Sequence, residues 1–327
     1  MFDSGYLSRG LALIESLRRV GEDGDIWVLC LDDEAHAYLT EIGLIRVHLL
    51  SIAELEQATP GLAKTRDGRS RGEFIFTCTP ALTTHVRDTD VSAEWVIYLD
   101  ADLWFFSSPQ HVFNEMGRGT VGIVAHRFPD RMRVLEKYGT YNVAWVMFGS
   151  DDEARRCLVW WRDRCIEWCF DVPSEGRYAD QGYLDQFAQL FPTAVVVDDP
   201  GVNVAPWNLG RHDITVAHGI PESDGHPIVF FHFHGLRQIG AWMYPNLFAY
   251  KTRLRPIVRD AIYAPYVEAL HKIEQGRAEI SNGHPMPVLT AAPANRDQLT
   301  LRSLGHRARR RAIQGFERIT GSALRAE

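Results

Sequence analysis

The sequence predicts an α/β fold: a mainly parallel sheet flanked by helices, with its first strand nearly absent. Three observations lead there. Short apolar runs of strand length alternate with helical periodicity through the first half of the chain, the pattern of a sheet covered on both faces. Of the 327 residues, 46% are hydrophobic and 24% charged, enough to bury a sizeable core. Helical spacing of Leu7, Leu11, Ile14 and Leu17 starts a helix near Tyr6, which leaves almost no chain for a strand before it.

The elements follow in order. Residues 25–31 (DIWVLCL) read as a buried strand, 33–42 as a helix and 45–50 as a second strand. Ser51 and Glu54 stand in capping-box relation and open a short helix. Residues 59–72 form a cationic loop carrying Lys64, Arg66, Arg69 and Arg71, and Pro80 opens the next helix. Residues 95–99 (WVIYL) are the most strongly strand-like segment, followed by strands at 121–125 and 142–148. A helix over 151–169 buries Leu158, Trp161, Cys165 and Trp168, and another spans 180–190. Short strands at 194–197 and 228–233 precede a mainly helical region at 246–274. The chain divides at residue 275 into a main domain, 1–275, and a basic extension, 276–327, partly helical or mobile.

Composition removes several functional classes. A net charge of −7 argues against a nucleic-acid binder, which needs a basic face. Five cysteines, an odd number without a CxxC pair, read as reduced thiols rather than a zinc cluster. The start is polar, without a secretory signal, and no apolar run approaches the ~18 residues that span a bilayer. The expected location is the cytoplasm. The basic segment Arg302, Arg307, Arg309, Arg310 and Arg311 could touch the inner face of the membrane peripherally, although a solvated tail is the simpler reading.

Chemistry concentrates at Asp100-Ala101-Asp102. An apolar strand delivers two carboxylates one residue apart into apolar flanks, which is costly unless a cation compensates them. Hard oxygen ligands of this kind suit Mg²⁺ or Mn²⁺, ions that bind one or two carboxylates together with substrate phosphates. In residues 230–235 (FFHFHG) His232 and His234 alternate with phenylalanines and share one face; either can complete such a site, and a buried structural histidine is the alternative for both. Asp180 and Gln181 open a helix, where Asp180 serves equally as an N-cap or as a group facing substrate. Asn142 is a candidate donor-sugar contact, and Trp207 and Asn208 are candidate acceptor contacts. Asp3 and Tyr6 could hold a base and ribose, and Arg69 and Arg71 a diphosphate.

Seven segments in this order, DSGYLSRGLAL, RSRGEFIFTCTPAL, YLDADLWFF, YNVAWVMF, YADQGYLDQF, NVAPWNL and FFHFHGL, together resemble the motif series of nucleotide-diphospho-sugar transferases of the GT-A (Rossmann-like) type, close in pattern to glycosyltransferase family eight. The resemblance covers roughly residues 2–250. It implies that Asp100 and Asp102 bind Mn²⁺ or Mg²⁺ and that Ala101 lines the donor site. It further implies that a histidine in H-x-x-G spacing, His232 before Gly235, completes the metal site with His234 as the competing choice, and that Asp180 and Gln181 act beside the sugar. The chain departs from family eight after the histidines, where Gly235-Leu236-Arg237-Gln238 is not followed by Lys-Pro-Trp. Family members also have a full first strand ahead of the Asp-Ser segment, so either the true start lies upstream or the sheet is shortened.

The resulting expectation is a metal-dependent glycosyltransferase, of the hexosyltransferase class and retaining by resemblance. It moves sugar from a nucleotide-diphosphate donor, UDP-linked by preference, to a carbohydrate or small-molecule hydroxyl. Two rivals stand beside it. One is a nucleotidyltransferase of the same fold, for which the segment after Asp3 is a poor triphosphate loop. The other is a non-catalytic nucleotide-sugar or carbohydrate binder.

Overall fold

The computed structural model describes residues 1–280 and 323–325. It is a mixed α/β structure. Helix α1 (Leu7–Arg19) is followed by β1 (Ile26–Cys30), α2 (Asp33–Ile42), β2 (Val47–Ser51) and α3 (Ile52–Ala58). Then come α4 (Arg71–Thr89), β3 (Trp95–Leu99), β4 (Leu103–Phe105), α5 (Gln110–Glu115), β5 (Val121–Ala125), β6 (Tyr141–Gly149) and α6 (Asp152–Glu167). The remainder comprises α7 (Phe187–Leu190), β7 (Ala194–Val197), β8 (Ile214–Ala217), β9 (Ile220–Ser223), β10 (His226–Pro227), β11 (Phe230–His232), β12 (Arg237–Ile239), β13 (Trp242–Tyr244), α8 (Pro256–Val258), α9 (Ala264–Ile280) and β14 (Leu324–Arg325).

The central sheet has the order β3-β6-β5-β7 and is mixed rather than mainly parallel. Strand β6 runs antiparallel to both neighbours, while β5 pairs with β7 in parallel, as β1 does with β2. The sequence reading expected a mainly parallel sheet from the alternation of strands and helices, and the apolar run of β6 does not give its direction. That run reports only burial on both faces, and helices on both sides bury an antiparallel strand equally well. One face of the sheet packs Val146 and Phe148 against Trp161, Leu158 and Phe187. The other packs Trp145 and Met147 against Phe105, Phe230 and the α1 residues Leu13 and Leu17. The expected first strand is reduced to one residue: Phe2 makes a parallel bridge to Cys30, and its ring lies over Gly10 of α1.

Helix starts are set by local chemistry. The Ser51–Glu54 capping box is present, and a second box, Ser70 with Glu73, opens α4. Pro80, read as a helix start, instead lies inside α4, whose beginning that second box fixes ten residues earlier. The expected helix at 180–190 is a 3-10 segment, Gln181–Gln186, running into the single turn α7. The helical region expected at 246–274 opens with a 3-10 turn at Leu247–Tyr250, resumes at Pro256 and contains a π-turn at Arg259–Tyr263 before α9. The β8-β9-β10 and β12-β13 hairpins have no counterpart in the sequence reading.

Helix α9 passes through the expected division at residue 275, and Leu324 pairs with Met243. The basic segment at 302–311 lies outside the described residues. Among the described residues no helix is long and apolar enough to cross a membrane.

Candidate metal and donor site

Two short ladders meet at the Asp100-Ala101-Asp102 turn. Strand β3 ends at Leu99, and the Asp100 amide donates to the Ala144 carbonyl of β6 at 3.2 Å. That carbonyl is presented by a bulge, where the register jumps from Ile123↔Val146 to Val124↔Asn142. Asn142 holds the bulge, its Oδ1 accepting from the Ala144 amide at 2.6 Å. After Asp102 the chain enters β4, which pairs antiparallel with β11 so that Leu103 faces His232. The Phe233 amide donates to the Asp102 carbonyl at 2.9 Å. Ladder pairing thus brings a histidine 130 residues away to the acids.

Asp100, Asp102 and His232 offer ligand atoms that all lie within 4.8 Å of one another. His232 Nε2 is 3.1 Å from Asp102 Oδ1 and 3.9 Å from Asp100 Oδ2. Its Nδ1 is buried without a hydrogen-bond partner. The Asp102 side chain is 12% exposed and that of Asp100 31%, so Asp100 lies on the open side. Burial raises the Asp100 carboxyl above the usual range, and Asp102 adds to this against the pull of His232 and Tyr98. Asp102 suffers the same burial, yet His232 and Arg9 hold it well below that range. Burial alone would lower His232, but the two acids outweigh it and raise the imidazole. Two acids and an imidazole facing one point form a donor set that suits a divalent ion of the Mg²⁺/Mn²⁺ kind.

His234 does not join this group; it is exposed, its ring 5.6 Å from those of His232 and Trp207. The ladder explains the selection: β11 ends at His232, and the chain turns away through Gly235 at φ +71°.

Around the three ligands lie groups the sequence reading did not single out. Arg9 is 3% exposed, with Nη1 4.0 Å from Asp102 Oδ2, and its Nε and Nη1 have no hydrogen-bond partner. Its guanidinium lies over the Tyr6 ring at 4.5 Å. A signal for it existed: Arg9 lies on a helix whose neighbouring positions are nearly all buried, a setting where an arginine needs a counter-charge. Tyr98 donates to Asp100 Oδ1 at 2.9 Å.

Asp180 is buried and stands at the N-cap position of the 3-10 turn without a side-chain capping bond. Burial, with Asp100 adding to it against a hydrogen bond from Thr79, raises its carboxyl to about 7. Gln181 donates through Nε2 to the Tyr138 carbonyl at 2.8 Å. Beside it, Gly139, Arg177, Tyr178, Gly182 and Asp185 line a cavity of about 350 Å³. Trp207 is buried, donates Nε1 to the His126 carbonyl at 2.9 Å, and sets its ring 5.2 Å from that of His232. Asp3 pairs with Arg71 at 2.8 Å near the start of α1, with Tyr6 exposed beside them. Ala101 is buried between the two acids.

Two of the expected contact residues are engaged within the protein. Arg69 donates to the Thr77 hydroxyl and, at 2.7 Å, to the Ile166 carbonyl, tying α4 to α6. Asn208 is fully buried; its Nδ2 donates to the His126 and Asn203 carbonyls and its Oδ1 accepts from the Ala205 amide. Both are polar residues whose side chains close the protein's own backbone.

The chain is similar to two Bacillus subtilis (strain 168) proteins. It is 33% identical over 246 residues to the uncharacterized protein YfnF, covering 72% of this chain and 80% of YfnF. It is 29% identical over 265 residues to the uncharacterized protein YfnD, covering 80% of this chain and 84% of YfnD. No protein-family model matches. Similar solved structures include mouse xyloside xylosyltransferase 1 in its apo form, with TM-score 0.46, 11% identity and coverage of 71% of this chain and 93% of that one. An active-site mutant of LgtC has TM-score 0.47, 14% identity and coverage of 80% and 98%.

Proposed function

The chain belongs to the family of the Bacillus subtilis protein YfnF, and on that premise we propose that it is a metal-dependent glycosyltransferase of the GT-A type. It takes a sugar from a nucleotide-diphosphate donor, UDP-linked by preference, and passes it to a hydroxyl of a carbohydrate or small molecule. A hexosyl group and retention of anomeric configuration belong to the same reading. The observation that carries it is the convergence of Asp100, Asp102 and His232 at the end of a buried strand.

In this reading Asp100, Asp102 and His232 hold Mn²⁺ or Mg²⁺. When bound, the ion supplies compensation for the negative charge that develops on the leaving diphosphate. The chain's own groups do the rest. Arg9, with two buried donors unpaired beside Asp102, fixes that carboxylate and adds preorganised positive potential where the diphosphate lies. The Asp3–Arg71 pair and Tyr6 line the nucleotide side, and Ala101, between the acids, lines the donor's place. Asn142 acts by holding the bulge against which Asp100 rests. Asp180, poised near neutrality, and Gln181 face the sugar and the incoming hydroxyl, with the adjoining cavity as the acceptor's place. Trp207 walls the site behind His232. We further place the protein in the cytoplasm, with peripheral membrane contact through the basic segment at 302–311; unchanged liposome binding after removal of residues 300–327 refutes that contact.

The test is a thermal-shift screen of nucleotide-sugars with and without Mn²⁺, followed by turnover assays of the donor that binds. A bound donor raises the melting temperature by mass action. The expected shift requires Mn²⁺ and disappears in Asp102→Ala, which also loses turnover. Near-normal activity of Asp102→Ala refutes metal ligation there, and pyrophosphate release from a nucleoside triphosphate reassigns the reaction to nucleotidyl transfer.

A further inference from the structure

A second cluster of ligating side chains lies where α5 meets the segment after β7. His111 and Glu115 are four residues apart on α5, one turn from each other on the same face. Opposite them stands Asp199, 7% exposed, and the ligand atoms of all three lie within 4.8 Å of one another. His111 Nε2 is 3.0 Å from Asp199 Oδ2. A second imidazole approaches the same oxygen, with His226 Nδ1 of β10 at 3.9 Å. The other carboxylate oxygen of Asp199 accepts from the Gly201 amide at 2.6 Å, which fixes the group in place with one oxygen facing the histidines.

An ordinary ion pair accounts for this arrangement poorly. Two acids and two imidazoles carry excess negative charge when the imidazoles are neutral, and one of the acids is buried. The nearest guanidinium, Arg127, does not compensate it. Its Nη1 donates to the Asp199 carbonyl at 2.6 Å and its Nη2 to the Val202 carbonyl, so it ties backbone and leaves the carboxylate to the histidines. A tetrahedral ion with bonds of about 2.0–2.1 Å sets its ligand atoms about 3.3 Å apart. The 3.0 Å between His111 and Asp199 lies near that spacing, and Glu115 stands within 4.8 Å of both.

We propose that His111, Glu115 and Asp199 form a second divalent-metal site, with zinc as its probe ion, separate in its residues from the Asp100–Asp102–His232 group. Its effect is structural. The chain leaving Asp199 pairs with the segment that carries His232, the Val229 amide donating to the Gly201 carbonyl at 2.9 Å and the His232 amide to the Val204 carbonyl at 2.8 Å. A metal held by His111, Glu115 and Asp199 therefore ties α5 to the segment that pairs with the strand on which His232 depends.

The experiment uses the full chain, stripped with chelator and titrated with Zn²⁺ by calorimetry, in the parent and in Asp102→Asn, which disables the first site. Asp102→Asn is expected to retain one zinc per chain. Adding His111→Gln weakens that zinc by more than the ~10- to 100-fold that loss of a supporting outer partner costs. Co²⁺ in place of zinc gives the visible absorption of a tetrahedral centre in Asp102→Asn and none in the double variant. Absence of zinc uptake by Asp102→Asn overturns the proposal, as does parental affinity in the double variant. If His111→Gln fails to fold by circular dichroism, Glu115→Gln, an exposed position, decides by the same criterion.

Discussion

Replacing Asp180 with Asn tests the electrostatics of the site through stability alone. The carboxyl is buried, and its protonation midpoint rises from 3.8 to about 7, chiefly through burial and secondarily through Asp100. A raised folded-state value means that the folded protein holds a proton the unfolded chain has released. Stability linked to this group is therefore complete below the unfolded value of 3.8, declines as pH rises, and levels off above the folded value near 7. About three units at 1.36 kcal/mol each give a total penalty on the order of 4 kcal/mol at alkaline pH. Between pH 5 and pH 8 the change is about 2–3 kcal/mol. Asn keeps the shape and cannot ionise, so it lacks this slope. Urea unfolding of parent and variant in chelator, at several pH values from 4 to 9, should show the variant gaining on the parent by that amount from pH 5 to 8. Its hydrogen bond to Thr79 changes too, but a neutral contact shifts both ends of the comparison alike. Parallel stability profiles for the two proteins would refute the reasoning. A variant that gains stability while losing turnover would mark Asp180 as a group kept at a stability cost for its function.

Three further outcomes follow from packing. Gly10→Ala sets a Cβ 2.1 Å from the Phe2 ring and should cost at least about 1–3 kcal/mol, read by denaturant unfolding, because Phe2 is the one residue bridging the N-terminus to Cys30. Trp161→Ala removes a fully buried ring between α6 and the sheet, together with its 2.8 Å hydrogen bond to the Asp180 carbonyl; about 3–5 kcal/mol should be lost on the same measurement. Asn208→Ala leaves the Ala205 amide and the Asn203 carbonyl without their side-chain partner, while the His126 carbonyl keeps Trp207, and should destabilise by about 2 kcal/mol or more, with the acceptor KM of the remaining folded enzyme unchanged.

What the sequence made legible was local. Strand β3 and the acids after it can be read from WVIYL and the two aspartates, because apolar content and desolvation cost are properties of neighbours in the chain. Capping boxes are legible for the same reason, although the Ser70–Glu73 box was passed over in favour of Pro80, the more familiar punctuation. Strand direction was not legible: β6 pairs antiparallel with β5 after a connection that includes a 3-10 segment at Asp130–Tyr138, and apolar runs carry no sign of direction. The choice of His232 over His234 needed the Leu103↔His232 pairing, a contact across 129 positions. That Arg69 and Asn208 satisfy carbonyls of their own chain was not legible either, because a polar residue in a loop carries no sign of its distant partner. Arg9 was missed for the opposite reason, as one charge inside a helix read only for its leucines.

The two acids of the turn are separated by Ala101 alone, yet they are anchored to different bodies. Asp100 hangs from the four-stranded sheet through Ala144, whereas Asp102 and His232 ride together on the two-stranded β4-β11 ribbon. A relative tilt of ribbon and sheet would leave the aspartate–histidine pair intact and carry the remaining carboxylate in or out. Such a joint would act as a coordination valve, converting small shear between two packed layers into gain or loss of one ligand at the ion.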